Sequence, residues 1–411
     1  MSLRTRLFRL QGQSGSSVEQ PAESASDLRR RLAGIVGRYP PTTCRESNPA
    51  IRDKALAQAL KGYTIGDGLI RISRRIPLQG ALGRLPLSRL TRPPILPGER
   101  AQALRRQVYI DTETTGLSGG SGTLAFLIGM ACVEDDAILI NQYMITRFTA
   151  EGAMLDAFSA ALNAEDRLVS YNGKCYDLPL LKSRYRMQGR TVSLHTLPHL
   201  DLLHPVRRLF STTWPDCRLL TLEQRLLGLQ RHNDLPGSAA PEAWFDFVRS
   251  GIGTRLIRVV EHNRQDLLSL AMAHSALTQV IAQPRQHGAD IVALARWLTD
   301  SDEKAAHALL KEEFHKLPQR GKKLLGRLAR RLCDWELALQ IWEELALKGC
   351  HNSAEQLAKY HEHISKDLEI AKRYCKQLPD DGERQRRMRR IDSKLLRRRI
   401  QPELRQQTDS L

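Results

Sequence analysis

Three apolar, β-favouring runs follow one another with only turns between them: Val108–Ile110, Leu124–Val133 and Ala137–Ile145. Such close succession predicts an antiparallel meander. The first run leads straight into Asp111-Thr112-Glu113-Thr114-Thr115-Gly116. Alternate side chains of a strand share a face, so Asp111 and Glu113 should project together from one side of the strand end. Two adjacent carboxylates repel, and one would ordinarily stay protonated. A hard divalent cation, magnesium or manganese, removes that cost. The competing reading is a solvated strand end before a Thr-Gly turn.

After the meander the pattern alternates. Glu151–Leu162 has helical spacing, and Arg167–Tyr171 reads as a strand. A helix follows Asp177 to about Gln188, and Leu197–Leu203 reads as a strand containing Asp201. Leu219–Leu227 is helical and stops at Gly228, and Leu256–Leu277 makes a long helix. Mixed strands with helices between them predict an α/β layer architecture.

The acids recur along this alternation. Asp177 follows a strand near a helix start. His262 and Asp266 lie four apart on the long helix, so they share a face. Asp201 reads as a structural acid or a supporting partner rather than a ligand. His195, His199 and His204 surround it, but Pro198 breaks the helix that zinc ligation by His195 and His199 would need. The glycine-rich stretch Gly116–Gly122 lacks the Gly-Lys-Ser/Thr ending of a phosphate loop and joins two strands.

The order and spacing of these residues resemble a known family. Asp111-Thr112-Glu113 is similar to the first motif of the DEDD 3′→5′ exonucleases, in the ribonuclease H-like superfamily. Asn172 through Tyr176-Asp177 resembles the second motif, and Asp266, read as closing a helix, the third. Thr114-Thr115-Gly116-Leu117, Tyr171-Asn172-Gly173, Leu222-Glu223, Leu226-Leu227-Gly228 and His262-Asn263 together resemble the YprB-type branch. The resemblance covers about residues 105 to 280. It implies a sheet of about five strands, flanked by helices, with two divalent ions, Mg2+ or Mn2+, held by Asp111, Glu113, Asp177 and Asp266. It also implies phosphodiester hydrolysis in which two cations about 4 Å apart serve the water and the leaving oxygen. His262 is expected to orient or deprotonate the water, and Asn172, Tyr176 and Asn263 to touch substrate. These exonucleases commonly carry a tyrosine four residues before the last Asp, or a histidine five before it; here a histidine takes the tyrosine spacing.

Composition agrees with a polyanionic partner. The chain of 411 residues carries a net charge of +18, which favours nucleic acid, DNA or RNA. No stretch reaches membrane-spanning length. The first ten residues lack the apolar segment of a secretory signal, and Glu19 and Glu23 weigh against a mitochondrial presequence. Seven cysteines without a Cys-x-x-Cys pair suit a reducing cytoplasm.

Five regions are expected. Residues 1–45 read as mostly disordered and basic, with a short helical candidate from Asp27 to Arg38, and 46–104 as a small N-terminal region and wrap containing a helix (Ile51–Leu60) and a strand (Leu69–Ile72). Residues 105–282 form the ribonuclease H-like domain. Residues 290–380 read as all-α helical repeats: Trp335-Glu336-Leu337-Ala338 recurs as Leu368-Glu369-Ile370-Ala371, an offset of 33 residues near the tetratricopeptide period, with an earlier unit from Lys304 to Arg330. Such repeats could also receive a protein partner. Residues 381–411 are a basic tail, helix or loose arm. Trp214, Trp297 and Trp335 read as packing residues. The expected activity is a metal-dependent 3′→5′ exonuclease. The rivals are a catalytically weak nucleic-acid-binding or adaptor protein, and a structure-selective endonuclease.

Overall fold

The acidic strand lies inside a seven-stranded sheet. A computed structural model describes residues 48–99, 105–116, 122–190, 194, 196–232 and 234–408. The expectations for residues 1–45 and for most of the glycine-rich stretch lie outside them. The strands are β1 (Tyr63–Gly66), β2 (Leu69–Pro77), β5 (Gln107–Thr114), β6 (Ala125–Glu134), β7 (Ala137–Ile145), β8 (Arg167–Ser170) and β9 (His199–Asp201), in the order β1-β2-β7-β6-β5-β8-β9. A small hairpin of β3 (Ala81–Leu82) and β4 (Leu85–Pro86) stands apart from it. β5, β6 and β7 form the expected antiparallel meander, while β8 and β9 run parallel to β5. This mixed sheet with flanking helices has the ribonuclease H-like architecture. β1 and β2 extend its edge, β2 pairing along its whole length with β7. The small N-terminal region expected over 46–104 thus contributes two strands to the same sheet.

Both sheet faces are covered, which is why β6 and β7 read as nearly continuous apolar runs. Val108 and Ile110 enter one core with Met154, Phe158, Leu181 and Trp244. Tyr109, between them, enters the other with Val206, Leu209, Phe210 and Trp214. The helices behind these contacts are α1 (Pro49–Ala59), α2 (Glu151–Ala160), α3 (Asp177–Met187), α4 (Leu203–Phe210), α5 (Leu219–Leu222, continued as one π turn to Leu227), α6 (Ala240–Ser250) and α7 (Thr254–Ala282). α7 gives Leu256, Val259 and Val260 to the first core and residues from Leu267 onward to the second. Asp266 therefore sits midway along a 29-residue helix and does not close it.

The second layer is helical. α8 (Ile291–Leu298) gives Leu294 to the sheet-side core and Val292 and Ala295 to a separate helical core. Three hairpins follow: α9–α10 (Glu303–Glu312, Gln319–Arg331), α11–α12 (Trp335–Leu347, His351–His363) and α13–α14 (Leu368–Cys375, Gly382–Thr408). Each opens on an aspartate N-cap: Asp302 accepts from the Ala305 N–H, Asp334 from Leu337, and Asp367 from Ile370. A side-chain oxygen here satisfies a free N–H of the first turn, and the caps recur at nearly the expected offset. The basic tail is not a loose arm. Ile391 and Arg387 of α14 are buried, and Ile391 closes a small core with Ala358, Leu368, Ala371 and Cys375. No helix among the described residues is long and apolar enough to cross a membrane.

Candidate nuclease site

Three elements bring the acids together. β5 ends in Asp111 and Glu113, α3 begins at Asp177, and α7 carries His262, Asn263 and Asp266. A register shift between Glu113 and Thr114 marks a β-bulge where β5 leaves β6, a common device for aiming side chains beside a site.

Asn263 fastens α7 to β5. Its amide nitrogen donates to the carbonyl and carboxylate oxygens of Asp111 at 3.2 and 2.8 Å. Its amide oxygen accepts from Gln142 at 2.8 Å. Asn263 is fully buried, so the expected substrate contact is corrected: its polar atoms are used inside the protein. The approach depends on Gly129, which faces Asp111 across the β5–β6 ladder. A Cβ there would lie 2.2 Å from the Asn263 amide oxygen and 2.8 Å from Leu267. Gly129→Ala should therefore cost about 1–3 kcal/mol of stability, the usual range for overpacking. Denaturant unfolding with a midpoint unchanged from wild type would show that α7 has slack here.

Asp177 is set by a different device. Asn172 adopts a left-handed conformation, φ 68°, which asparagine tolerates better than most residues. Asp201, buried at the end of β9, accepts the backbone N–H groups of Asn172 at 2.7 Å, Lys174 at 3.0 Å and Leu203 at 3.1 Å. It is the acid that fixes this turn. Thr112 then donates its hydroxyl to Asp177 at 2.5 Å. Asn172 is half-buried, and Tyr176, beside Asp177, is 59% exposed and free to meet a ligand. The histidines near Asp201 do other work. His199 shares a hydrogen bond with Ser170 at 2.8 Å, and burial depresses its pKa to about 4. His204 is exposed, and His195 lies outside the described residues.

The carboxylates feel one another. Burial pushes Asp111 well above the usual carboxylate range, and the charges of Asp266, Asp177 and Glu113 push it further. Burial, followed by the charges of Asp266, Asp177 and Asp234, raises Glu113 likewise. Burial also raises Asp177, against the hydrogen bond from Thr112. Among the described residues no Lys or Arg pairs with Asp111, Glu113 or Asp177.

Asp266 is different, because Arg231 holds it. The guanidinium bonds Asp266, grips the fully buried Glu223 through two nitrogens at 2.6 and 2.7 Å, and reaches Asp234 at 3.0 Å. Burial works against its charge, but the hydrogen bond to Glu223 and the charges of Asp266 and Glu223 more than reverse that, so its pKa is raised. Asp234 also holds His262: Nδ1 lies 2.8 Å from its carboxylate, leaving Nε2 3.5 Å from Asp266. Arg231 and Asp234 escaped the sequence reading. The one available signal was Glu223, an acid in an apolar helix that needed a cation nearby.

Among the described residues no three His, Cys, Asp or Glu side chains already converge as a ligand cluster. The donor set nonetheless has the chemistry a hard cation takes: carboxylates, three of which have no cationic partner among the described residues. The consequence is measurable without any substrate. Asp111 and Glu113 bind protons more tightly folded than unfolded. Stability should thus fall as pH rises from the unfolded carboxylate range, about 4, through the raised folded values. In EDTA, Asp111→Asn should melt above wild type at neutral pH, the gap shrinking toward pH 4. Added magnesium or manganese should raise the wild-type Tm and leave the variant nearly still. Equal melting at every pH would contradict the mutual repulsion.

The sequence comparisons agree with the architecture. A sequence profile of the RNase H superfamily matches residues 108–277. Over 289 residues the chain is 32% identical to the uncharacterized protein YprB of Bacillus subtilis (strain 168), covering 67% of this chain and 69% of that protein. Among solved structures, a family B DNA polymerase from the hyperthermophilic archaeon Pyrobaculum calidifontis aligns at 13% identity with a TM-score of 0.35. That alignment covers 70% of this chain and 39% of the polymerase.

Proposed function

Because the chain belongs to the RNase H superfamily as a YprB-type member, we propose that it is a divalent-cation-dependent 3′→5′ exonuclease acting on nucleic acid. The observation that carries this is the meeting of Asp111, Glu113 and Asp177, unpaired with any cation among the described residues, beside Asp266 and His262 on one turn of α7. Asp111, Glu113 and Asp266 would hold one ion, and Asp111 and Asp177 the other. Magnesium or manganese bound there would relieve phosphate charge and make water nucleophilic near neutral pH. His262 presents Nε2 to the site while Asp234 fixes its ring through Nδ1, so it is placed to orient the attacking water and take its proton. Arg231 would release Asp266 and turn toward phosphate, a ligand its planar fork suits. Tyr176, exposed beside Asp177, would touch the substrate strand, with the half-buried Asn172 next to it.

The other regions fit the same reading. The basic surface attracts the substrate, and the helical hairpins offer a face for a further partner. The six cysteines among the described residues are free thiols, in keeping with a reducing cytoplasm.

One observation favours a second reading. The Arg231–Asp266 pair ties up the last acid, as a nucleic-acid-binding protein with little cleavage would do. A single assay separates them: 5′-labelled single-stranded DNA and RNA incubated with magnesium or manganese. The exonuclease reading expects a ladder shortening from the 3′ end that EDTA abolishes. Binding without cleavage favours the second reading, and internal cuts in a circular substrate favour an endonuclease.

A further inference from the structure

The helical array holds a cavity of about 320 Å³ that shares no residue with the nuclease-like site. Its walls include Trp335, Tyr360, Arg330, Lys359, Arg387 and Arg390, and none of its lining residues is acidic. That volume suits a small planar group. Trp335 and Tyr360 are half-buried, with ring centroids 5.2 Å apart and planes tilted 46°. Both rings pack against the helical core, the role expected of Trp335, and turn their remaining surface to this cavity.

The surrounding cations outnumber their partners. Arg387, Arg390 and Lys394 converge on one carboxylate, Glu362, whose side chain is wholly buried. Lys359 shares Glu355 with Arg387. Arg330 is exposed and donates to the Gln356 amide at 2.9 Å, with no carboxylate on it among the described residues. The buried Nε of Arg387 has no hydrogen-bond partner. His363 also lines a neighbouring hollow of about 380 Å³ that carries Lys366, Lys394, Arg397 and Arg398 beside the ion-paired Glu362. An aromatic cleft thus runs into a basic one.

We propose that this double hollow binds single-stranded nucleic acid, an unpaired base stacking on the cavity-facing surface of Trp335 and Tyr360 and its flanking phosphates lying on Arg330, Lys359 and the Lys366–Arg398 side. Aromatic faces next to a cationic track are how single strands are held without sequence preference. The choice of nucleic acid over an acidic peptide rests on the nuclease reading of the sheet domain.

The test is fluorescence anisotropy of labelled oligothymidylate and oligouridylate with the full chain, in EDTA so that cation-dependent cleavage is off. Trp335→Ala should weaken binding about tenfold or more, the scale of one lost stacking partner, and Trp335→Phe should retain most of it. Arg330→Glu, at an exposed position with no carboxylate partner among the described residues, should weaken binding and lower the salt slope by about one. Unchanged affinity and salt slope in both Trp335→Ala and Arg330→Glu would overturn the proposal. So would a polyglutamate peptide that binds wild type more tightly than the oligonucleotides do, which would point to a protein partner. The two readings fail separately. If the variants lose binding but wild type cuts nothing with magnesium or manganese, the pocket stands and the nuclease reading falls. If wild type cuts and the variants bind normally, only the pocket falls.

Discussion

Asp111→Asn is expected to remove phosphodiester cleavage and leave the fold intact. The change keeps the shape of the side chain, and the Asn263 amide still finds an oxygen to bond. What disappears is the charge a cation would use. Metal assistance supplies several kcal/mol of transition-state stabilisation. A loss of about 4 kcal/mol corresponds to roughly a thousandfold in rate. Glu113→Gln and Asp266→Asn should fall by similar factors. Asp177→Asn should lose rate for the same reason, since the asparagine amide oxygen can still accept the Thr112 hydroxyl. Single-turnover rates at saturating oligonucleotide, with circular dichroism to confirm folding, decide the matter. Wild-type rates in a folded Asp111→Asn protein would remove Asp111 from the chemistry.

The second large effect concerns His262. Its loss to alanine should cost about a hundredfold in rate, the scale of a missing general base. Asp234→Asn should cost less. The ring would keep a hydrogen-bonding neighbour at Nδ1 but lose the carboxylate that fixes it with Nε2 toward Asp266. His262→Tyr should recover more activity than His262→Ala, because a hydroxyl four residues before Asp266 can still orient water. His262→Ala with full activity would make this histidine a packing residue, held by Asp234 for structural reasons alone.

The framework was legible because its signals are local. The β5–β6–β7 meander, the helix beginning at Asp177 and the long α7 all follow from hydrophobic period and turn chemistry. Losses came where the signal is short or contradictory. β1 has four exposed residues, with no buried alternation to betray it. Leu202 and Leu203 read as the end of a strand, yet β9 stops at Asp201 and α4 starts at Leu203, with Pro205 tolerated in its first turn. α6 was passed over although Trp244 and Phe247 are among the most buried side chains. The site divided in the same way. Spacing pairs Asp111 with Glu113 and His262 with Asp266, and Asp177 joined them only through the family resemblance. Arg231 reaches Asp266 across 35 residues and Asp234 reaches His262 across 28, and no periodicity links such partners. Asn263 was found but given the wrong role, since nothing in the sequence tells a buried amide from one facing a ligand.

The most direct measurement is anomalous diffraction from crystals grown with manganese. The account predicts two peaks about 4 Å apart, within reach of Asp111, Glu113, Asp177 and Asp266, with Arg231 no longer on Asp266. Arg231 still paired with Asp266, and no anomalous density beside Asp111, would contradict it.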